Sequence, residues 1–408
     1  MSLPLHQRLI HTGPAAAVDV AKVADIDVLA TGRVPIEHCL LWQDDLAAGI
    51  LPVGIEALAA GVFGAGHAAP PVGYHGPWWG GGSRRDLVAP GDVVGLAPEG
   101  GLVTILWRRG SRANTLLATE RCNSLCLMCS QPPREVDDTH RVEHLTRIIT
   151  LIDPEETQLG ISGGEPTLLD DGLIEVIRSA RRHLPATSLH VLSNGRRFAD
   201  PGLARAMAGA APEAVTWGIP LYGDVASLHD HVVQAEGAFA ETMTGLYNLA
   251  AVGATVEIRV VLTRPTVARL EALARFIYRA LPFAAHIAFM GLEPMGFARR
   301  NRALIWIDPA DYAGALSRAV HRLAALGMTV SIYNLPLCVL PADLLAFARA
   351  SISDWKNDFA PVCAPCPARQ DCAGFFTSAD SRWIGRDVEP LDHWPPAAHQ
   401  GTRPSCPV

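Results

Sequence analysis

The sequence predicts an α/β fold: a partial (β/α)6 barrel of parallel strands, preceded by a β-rich accessory region and followed by a loop-rich segment that carries cysteines. Three observations predict it. From Thr115 onward, short apolar runs alternate with helical segments in six repeats. Most of those runs end in an unusual motif. Seven of the nine cysteines fall in two groups, one just after the first run and one beyond the last.

Residues 1–112 show no strong helical period. Val93 to Leu96 and Leu102 to Trp107 are apolar runs joined by Pro98-Glu99-Gly100-Gly101, which predicts a hairpin. The stretch Gly76-Pro77-Trp78-Trp79-Gly80-Gly81-Gly82-Ser83 reads as a loop and lacks the Gly-Lys-Ser/Thr ending of a phosphate-binding loop. This segment is expected to be an accessory domain with a docking role.

Residues 113–302 are the expected barrel. Strands are predicted at 115–119, 158–162, 188–193, 214–221, 255–262 and 286–292, with helices near 140–152, 168–183, 201–209, 239–252 and 266–280. Right-handed crossovers would curl such a sheet. The first strand runs into Cys122-Asn-Ser-Leu-Cys126-Leu-Met-Cys129, the second into Ser162-Gly163-Gly164-Glu165-Pro166, the third into Ser193-Asn194-Gly195. The fourth ends at Pro220-Leu221-Tyr222-Gly223 and the sixth at Gly291-Leu292-Glu293-Pro294. In a parallel barrel these motifs converge on one mouth. Residues 303–408 are expected to form a separate domain: a helix (308–326), a strand (328–334) and a segment interrupted by Pro361, Pro365 and Pro367 that would need a metal to stay folded.

Composition narrows the function classes. The chain has 408 residues, 18% charged and 49% hydrophobic, with a net charge of −7. Those values exclude wholesale disorder and argue against a surface built to grip nucleic acid. All basic residues except Lys22 and Lys356 are arginine. The most apolar window, Leu46 to Gly66, holds Pro52, Glu56 and five glycines and is a poor membrane span. No basic-then-apolar export signal is visible at the start, so a cytoplasmic protein with reduced cysteines is expected.

Cys122, Cys126 and Cys129 place three thiolates on one loop, which suits an iron–sulfur cluster or zinc. Three ligands leave one iron of a four-iron cube open to chemistry. A structural zinc would want a fourth ligand close by, and Cys39 is remote and reads as a small buried hydrophobe. Gly160-Ile161-Ser162-Gly163-Gly164 also satisfies the Gly-x-Ser-x-Gly pattern of a hydrolase, with His229 or His286 available downstream. That reading leaves the grouped cysteines unexplained. Cys338, Cys363, Cys366 and Cys372 can saturate either a four-iron cluster or a tetrahedral zinc, and spacing alone does not separate the two.

The cysteine triplet, together with Gly163-Gly164-Glu165-Pro166 after the next strand, resembles the radical S-adenosylmethionine (SAM) superfamily over about 113–300. The resemblance implies a [4Fe–4S] cluster on Cys122, Cys126 and Cys129 whose open iron is chelated by SAM. It also implies reductive cleavage of SAM to methionine and a 5′-deoxyadenosyl radical, with a low-potential electron donor as partner. For SAM itself it implies Met128 near adenine, Gly163 and Gly164 close to the methionine amino group, Glu165 as carboxylate for that ammonium, Ser193 and Asn194 near the ribose and Arg259 near the methionine carboxylate. Cys338, Cys363, Cys366 and Cys372 then resemble the ligands of a second, auxiliary cluster in a twitch- or SPASM-like domain, with Cys406 as a spare thiol or alternative ligand.

The wording from Thr119 to Pro133, with Leu221-Tyr222-Gly223, His229-Asp230 and Met290-Gly291-Leu292-Glu293, is similar to the HxsC maturases of the His-Xaa-Ser repeat peptide system. That implies a precursor peptide with His-Xaa-Ser repeats as substrate and a second radical SAM maturase as partner. A small-molecule substrate, a non-catalytic partner of a paired maturase and a serine hydrolase using Ser162 are the competing readings. His229-Asp230 is expected to cap a helix, and Arg299, Arg300 and Arg302 to form a solvated face.

Overall fold

The computed structural model describes residues 6–14, 16, 18–51, 54–81, 88–97, 101–210, 215–350 and 357–394. Lys356, Cys406, the hairpin turn 98–100 and the loop end at 82–83 lie outside them. The chain divides into two compact units: Met1–Leu116 with Glu143–Glu156 and Ser179–Ala186, and Leu117–Val142 with Thr157–Arg178 and Thr187–Val408.

The first unit is built on eight strands: β1 (His6–Arg8), β2 (Ile10–Thr12), β3 (Val20–Ala24), β4 (Cys39–Trp42), β5 (Gly61–Ala65), β6 (Trp78–Gly81), β7 (Val93–Ala97) and β8 (Leu102–Trp107). Their order is β1-β8-β7-β3-β4-β5-β6-β2. The expected hairpin is present, with Ala97 opposite Leu102 in an antiparallel pair. The two edges of this order, β1 and β2, are separated in the chain by Leu9 alone. One continuous segment therefore bonds to both β8 and β6, and the sheet closes on itself. Alternation of side chains along each strand sends Val23, Leu40, Phe63, Trp79, Val94, Val103 and Ile105 into one buried cluster. Their neighbours Ala24, Leu41, Val62 and Trp78 face a second cluster. That second layer includes Val28 and Leu46, from α1 (Ile26–Ala30) and α2 (Gln43–Ala47). Asp25 caps α1, its carboxylate accepting from the Val28 N–H at 2.9 Å.

Lys22 is buried in this unit, 2% exposed. Its ammonium donates to the Leu151 carbonyl at 2.8 Å and to Asp153 Oδ1 at 2.5 Å, while Arg109 donates to Asp153 Oδ2 at 2.8 Å. Burial pushes the Lys22 pKa down, and Asp153 opposes the shift.

The second unit carries an open sheet of β9 (Thr115–Leu117), β10 (Gln158–Ser162), β11 (Ser188–Leu192), β12 (Val215–Pro220), β13 (Thr255–Val261), β14 (His286–Met290) and β15 (Val330–Tyr333), in that spatial order. All pairs from β10 to β15 are parallel. The crossovers hold α3 (Arg141–Leu151), α4 (Asp171–His183), α5 (Pro201–Ala210), α6 (Ala226–Val233), α7 (Ala238–Ala251), α8 (Arg264–Val267), α9 (Leu270–Ala280), α10 (Phe297–Arg300), α11 (Arg302–Ile305) and α12 (Pro309–Ala325); of these elements and β9, residues 115–116, 143–151 and 179–183 are counted with the first unit. The amphipathic period explains why they pack: α9 buries Leu270, Leu273, Ala274 and Ile277, one stripe at helical spacing. Asp308 and Pro309 start α12, the Asp308 carboxylate accepting from the Ala310 N–H.

One sequence expectation changes here. The sequence places a strand at 328–334 beyond the barrel, yet β15 pairs with β14 and the sheet has seven strands rather than six. All four of its residues are buried, although the strand is the edge of the sheet opposite β9. The basic run is exposed at Arg299 and Arg300, as expected, and half-buried at Arg302, but its guanidiniums are also engaged. Arg299 donates to the carbonyls of Pro294 and Ser378, and Arg302 donates to the Arg382 carbonyl and stacks on Trp306 and Trp383 at 4.9 and 5.5 Å. These arginines clamp the segment around 378–383. Near it, β16 (Asn357–Asp358) and β17 (Phe375–Phe376) form a short antiparallel ribbon.

Candidate active site

The site grows from the ends of β9, β10 and β11. Backbone bonds join the first two ends: Ala118 N–H to Ser162 O (2.7 Å), Gly164 N–H to Thr119 O (2.8 Å) and Glu165 N–H to Arg121 O (2.8 Å). The Cβ that Gly163 lacks would collide with the Thr119 backbone, and the one Gly164 lacks with the Arg121 carbonyl and Cys122 Cβ. Both glycines are thus required by the cysteine loop itself, whatever else approaches them. The loop is fastened from other sides too. Leu125 and Leu127 N–H groups donate to Val233 and Val232, and the Phe297 N–H donates to the Cys129 carbonyl at 2.8 Å. Gly296 permits that last approach, since a Cβ there would meet the Cys129 and Ser130 carbonyls.

Glu165 is fully buried. Its carboxylate accepts from the Thr167 N–H (3.0 Å) and hydroxyl (2.6 Å), the Ser193 hydroxyl (2.8 Å) and the Asn194 N–H (2.6 Å). Burial raises its pKa, and the Thr167, Asn194 and Ser193 bonds oppose that shift. In this structure the Ser193 hydroxyl donates to Glu165 and so joins the ends of β10 and β11. Asn194 continues the chain. Its amide nitrogen donates to Asn123 Oδ1 at 2.6 Å and lies 4.0 Å from the Cys122 sulfur.

Three residues that sequence reasoning missed complete the frame. Arg196 donates to Glu241 (2.6 Å), to the Asn123 carbonyl and to the Ser124 hydroxyl (3.1 Å). Asp138, 1% exposed, accepts from Thr119 Oγ1 and from Arg121 Nε at 2.8 Å. Burial would raise the Asp138 carboxyl, but Thr119 and Arg121 bring it below the usual carboxylate range. Asn123 is the third. Nothing in the spacing of these polar residues distinguishes them from ordinary surface positions.

Met128 is buried in an apolar cluster with Leu127, Tyr222, Val232 and Trp383. Arg259 belongs to a separate network on the inner face of the sheet. It donates to Glu257 Oε1 at 2.6 Å, and the same oxygen lies 3.4 Å from His190 Nε2. His286 bonds Glu257 Oε2 at 2.7 Å and the Ser331 hydroxyl at 3.0 Å. Gly218 makes room, because a Cβ there would press on His190, Leu192 and Arg259. Burial would raise the Glu257 carboxyl, but Arg259 with His190 and His286 holds it well below its ordinary value.

His229 and Asp230 are spoken for. His229 Nδ1 accepts from the Tyr222 N–H at 3.3 Å, and burial lowers its pKa to about 4. Asp230 accepts from the Gly237 and Phe239 N–H groups at the start of α7, so it caps the following helix rather than its own. With His286 held by Glu257 and Ser331, neither histidine is hydrogen-bonded to Ser162 among the described residues.

The later cysteines converge as well. Cys338, Cys363, Cys366 and Cys372 line one cavity with Phe359, Arg369 and Glu389. Cys372 sulfur accepts from the Leu337 and Gly374 N–H groups at 3.4 Å each. Gly374 sits at φ +61°, where a Cβ would strike the Asp358 carbonyl. Burial raises the Cys338 and Cys372 thiols. Among the described residues all eight cysteines are free thiols, and no group of three or more His, Cys, Asp or Glu closes on a single metal-ion position.

Residues 116–277 match the model of the radical SAM superfamily, so this segment is a radical SAM domain. No curated protein matches the chain. Among solved structures the chain is similar to Streptococcus suis SuiB bound to precursor peptide SuiA, at 12% identity and a TM-score of 0.41 over 53% of this chain and 48% of that one. It is similar to native anSMEcpe with bound AdoMet (17% identity, TM-score 0.43, 53% of this chain and 62% of that one). A radical SAM methyltransferase from Sphaerobacter thermophilus also matches (17%, 0.38, 59% and 72%). The matched region spans about half the length of SuiB, 48% of that chain. No helix among the described residues is long and apolar enough to cross a membrane.

Proposed function

We propose that this chain is a cytoplasmic radical SAM enzyme that modifies a precursor peptide with His-Xaa-Ser repeats, alongside a second maturase and a low-potential electron donor. The observation that carries the radical SAM part is the stitching of the cysteine loop onto Gly163-Gly164-Glu165 and Asn194. The donor chemistry fits a cluster. Burial, with the negative field of neighbouring groups, pushes the Cys122 thiol up to about 11 and the Cys126 thiol up to about 12. Thiols that resist ionisation this strongly need a cationic partner to become ligands, and iron supplies one.

Cys122, Cys126 and Cys129 would hold the [4Fe–4S] cluster, and Gly163, Gly164, Glu165, Ser193, Asn194 and Met128 form the surroundings in which SAM would sit. When bound and reduced, the cluster supplies the electron that cleaves SAM to methionine and a 5′-deoxyadenosyl radical. Glu165 acts as a positioning residue, fixing the β10 and β11 ends whose backbone faces the loop. Arg259 stays with Glu257, and Tyr222 stands between that network and the thiols. Burial and the fields of Cys126 and Cys129 push its phenol well above the ordinary value, against the pull of Arg259. Cys338, Cys363, Cys366 and Cys372 are proposed to hold an auxiliary [4Fe–4S] cluster that takes an electron from a substrate radical.

Iron and sulfide content of anaerobically reconstituted protein tests the reading, with a Cys122→Ala/Cys126→Ala/Cys129→Ala variant beside it. We expect two four-iron clusters, about eight irons, in the wild type and about four in the variant. Only the wild type should release 5′-deoxyadenosine on reduction with SAM, and a co-expressed repeat peptide should change mass. About four irons in the wild type and none in the variant would remove the auxiliary cluster. Iron-free protein would remove the radical reading, and 5′-deoxyadenosine without any peptide mass change would point to a small-molecule substrate.

A further inference from the structure

The short helices α10 and α11 lie directly on the cysteine loop. The Phe297 N–H donates to the Cys129 carbonyl at 2.8 Å, and the Asn301 side-chain amide donates to the Leu127 carbonyl at 2.9 Å. Ala298 and Ile305, both fully buried, pack into one cluster with Leu127 and Met128. Other residues of the same two helices reach solvent: Arg299, Arg300 and Leu304, the leucine at 59%.

The charge on that side is uncompensated. Arg299 donates to two carbonyls, Arg302 donates to the Arg382 carbonyl and stacks on two tryptophans, and Arg300 lies over the Phe297 ring at 5.5 Å. None of the three forms an ion pair among the described residues. Asp380 feels the charge of Arg299, but both of its oxygens are bonded to Arg382. A carbonyl or a ring orients a guanidinium without cancelling its charge. The whole chain carries a net charge of −7, so this run stands against the sign of the molecule.

A cluster on the triplet needs electrons delivered from outside. Electron transfer weakens steeply with distance, so a carrier has to dock where little protein separates it from the loop. Arg300 rests on the ring of Phe297, and Phe297 is hydrogen-bonded to Cys129. Resting on the radical SAM reading above, we infer that the face of Arg299, Arg300 and Leu304 docks the electron donor, and that this donor is an acidic protein. Its carboxylates meet the guanidiniums, and Leu304 supplies an apolar contact beside them. The negative charge of the rest of the chain repels such a donor, which orients the encounter. Electron-transfer complexes bury little surface and separate readily, as a patch of this size requires.

The test follows bleaching of the iron–sulfur absorbance of the anaerobically reconstituted, full-length protein. The donor is photoreduced plant-type ferredoxin, an acidic protein, with reduced methyl viologen, a small cation, beside it. At low salt Arg300→Glu should lower the ferredoxin rate about tenfold, Arg300→Lys should keep it within about twofold, and the viologen rate should not fall. The deficit should close as salt is raised. Arg178→Glu makes the same charge change at an exposed position on α4, and it should slow ferredoxin by less than about twofold. Ferredoxin reduction of Arg300→Glu at the wild-type rate would overturn the inference. So would equal slowing by viologen, or equal slowing in Arg178→Glu. Weaker binding of the repeat peptide by Arg300→Glu, with the ferredoxin rate intact, would give the face to an acidic stretch of substrate instead. Failure here separates from failure of the proposed activity. Viologen-reduced protein that forms 5′-deoxyadenosine but shows no Arg300 effect keeps the activity and loses the docking face. Protein with no reducible cluster loses both.

Discussion

The two sheets of this chain solve the same problem in opposite ways. In the first unit the segment 6–12 bonds to both edges, the sheet closes, and its interior fills with Leu40, Phe63, Trp79 and Ile105. In the second unit the sheet stays open between β9 and β15, and its inner face carries Glu257, Arg259, His286 and Ser331 bonded to one another, with His190 Nε2 3.4 Å from Glu257. A closed small barrel has no room except for side chains, so apolar volume decides its stability. An open one leaves a chamber, and polar groups gather there into a hydrogen-bonded network.

The sharpest way to break this contrast is to cut volume from the closed interior. Phe63→Ala should cost about 3–5 kcal/mol, read by urea denaturation of the full chain, with no change in that cost between pH 4 and 8. A cost near zero would mean that the barrel interior is not the core it looks like. Glu257→Gln attacks the other interior. Removing one partner of a buried charged network should cost about 3 kcal/mol, and here the cost depends on pH. Because the folded Glu257 carboxyl is held low, its contribution is complete above the unfolded value near 4.3 and is lost only as pH falls through the far lower folded value. Wild type and variant should therefore stay apart from neutral pH down to about 4 and converge only in stronger acid. Convergence already at pH 6 would sink the assignment.

Smaller changes sharpen the comparison. Gly164→Ala forces a Cβ onto the Arg121 carbonyl and Cys122. It should lower stability by about 1–3 kcal/mol and release the iron bound at the triplet while leaving iron at the later cysteines, measured by metal content. Lys22→Met places a hydrocarbon where the only described lysine is buried. Asp153 keeps Arg109 as partner, so a loss of about 1 kcal/mol or less is expected in the same denaturation assay.

How much of this was legible beforehand follows the range of the interactions. The alternating strands and helices of the open sheet are local patterns, and β10 to β14 fall where the apolar runs placed them. The motifs at their ends are local too, which is why Gly163, Gly164, Glu165, Ser193 and Asn194 could be singled out, and the fold brings them together with Cys122. What was missed is non-local. β15 is four buried residues whose partner strand lies some forty residues earlier. Arg302 reads as a surface charge until Trp306 and Trp383 are placed on it. Asp138 and Arg196 brace the cysteine loop through contacts that no spacing encodes. Closure of the first sheet is of the same kind, since a one-residue gap at Leu9 becomes meaningful only once β8 and β6 are known to be its neighbours.

That closure also constrains the order of events as the chain emerges. His6 pairs with Thr104, and Lys22 waits for Leu151 and Asp153. The earliest strands of this unit are thus among the last in it to find partners, a high-contact-order arrangement that folds slowly. A fragment ending at residue 112 would contain every strand of the closed sheet yet leave the Lys22 ammonium buried without its acid. The amino-terminal barrel is therefore bound to fold with residues made well after its own strands, and cutting the gene at the sheet's last strand would yield an unstable piece.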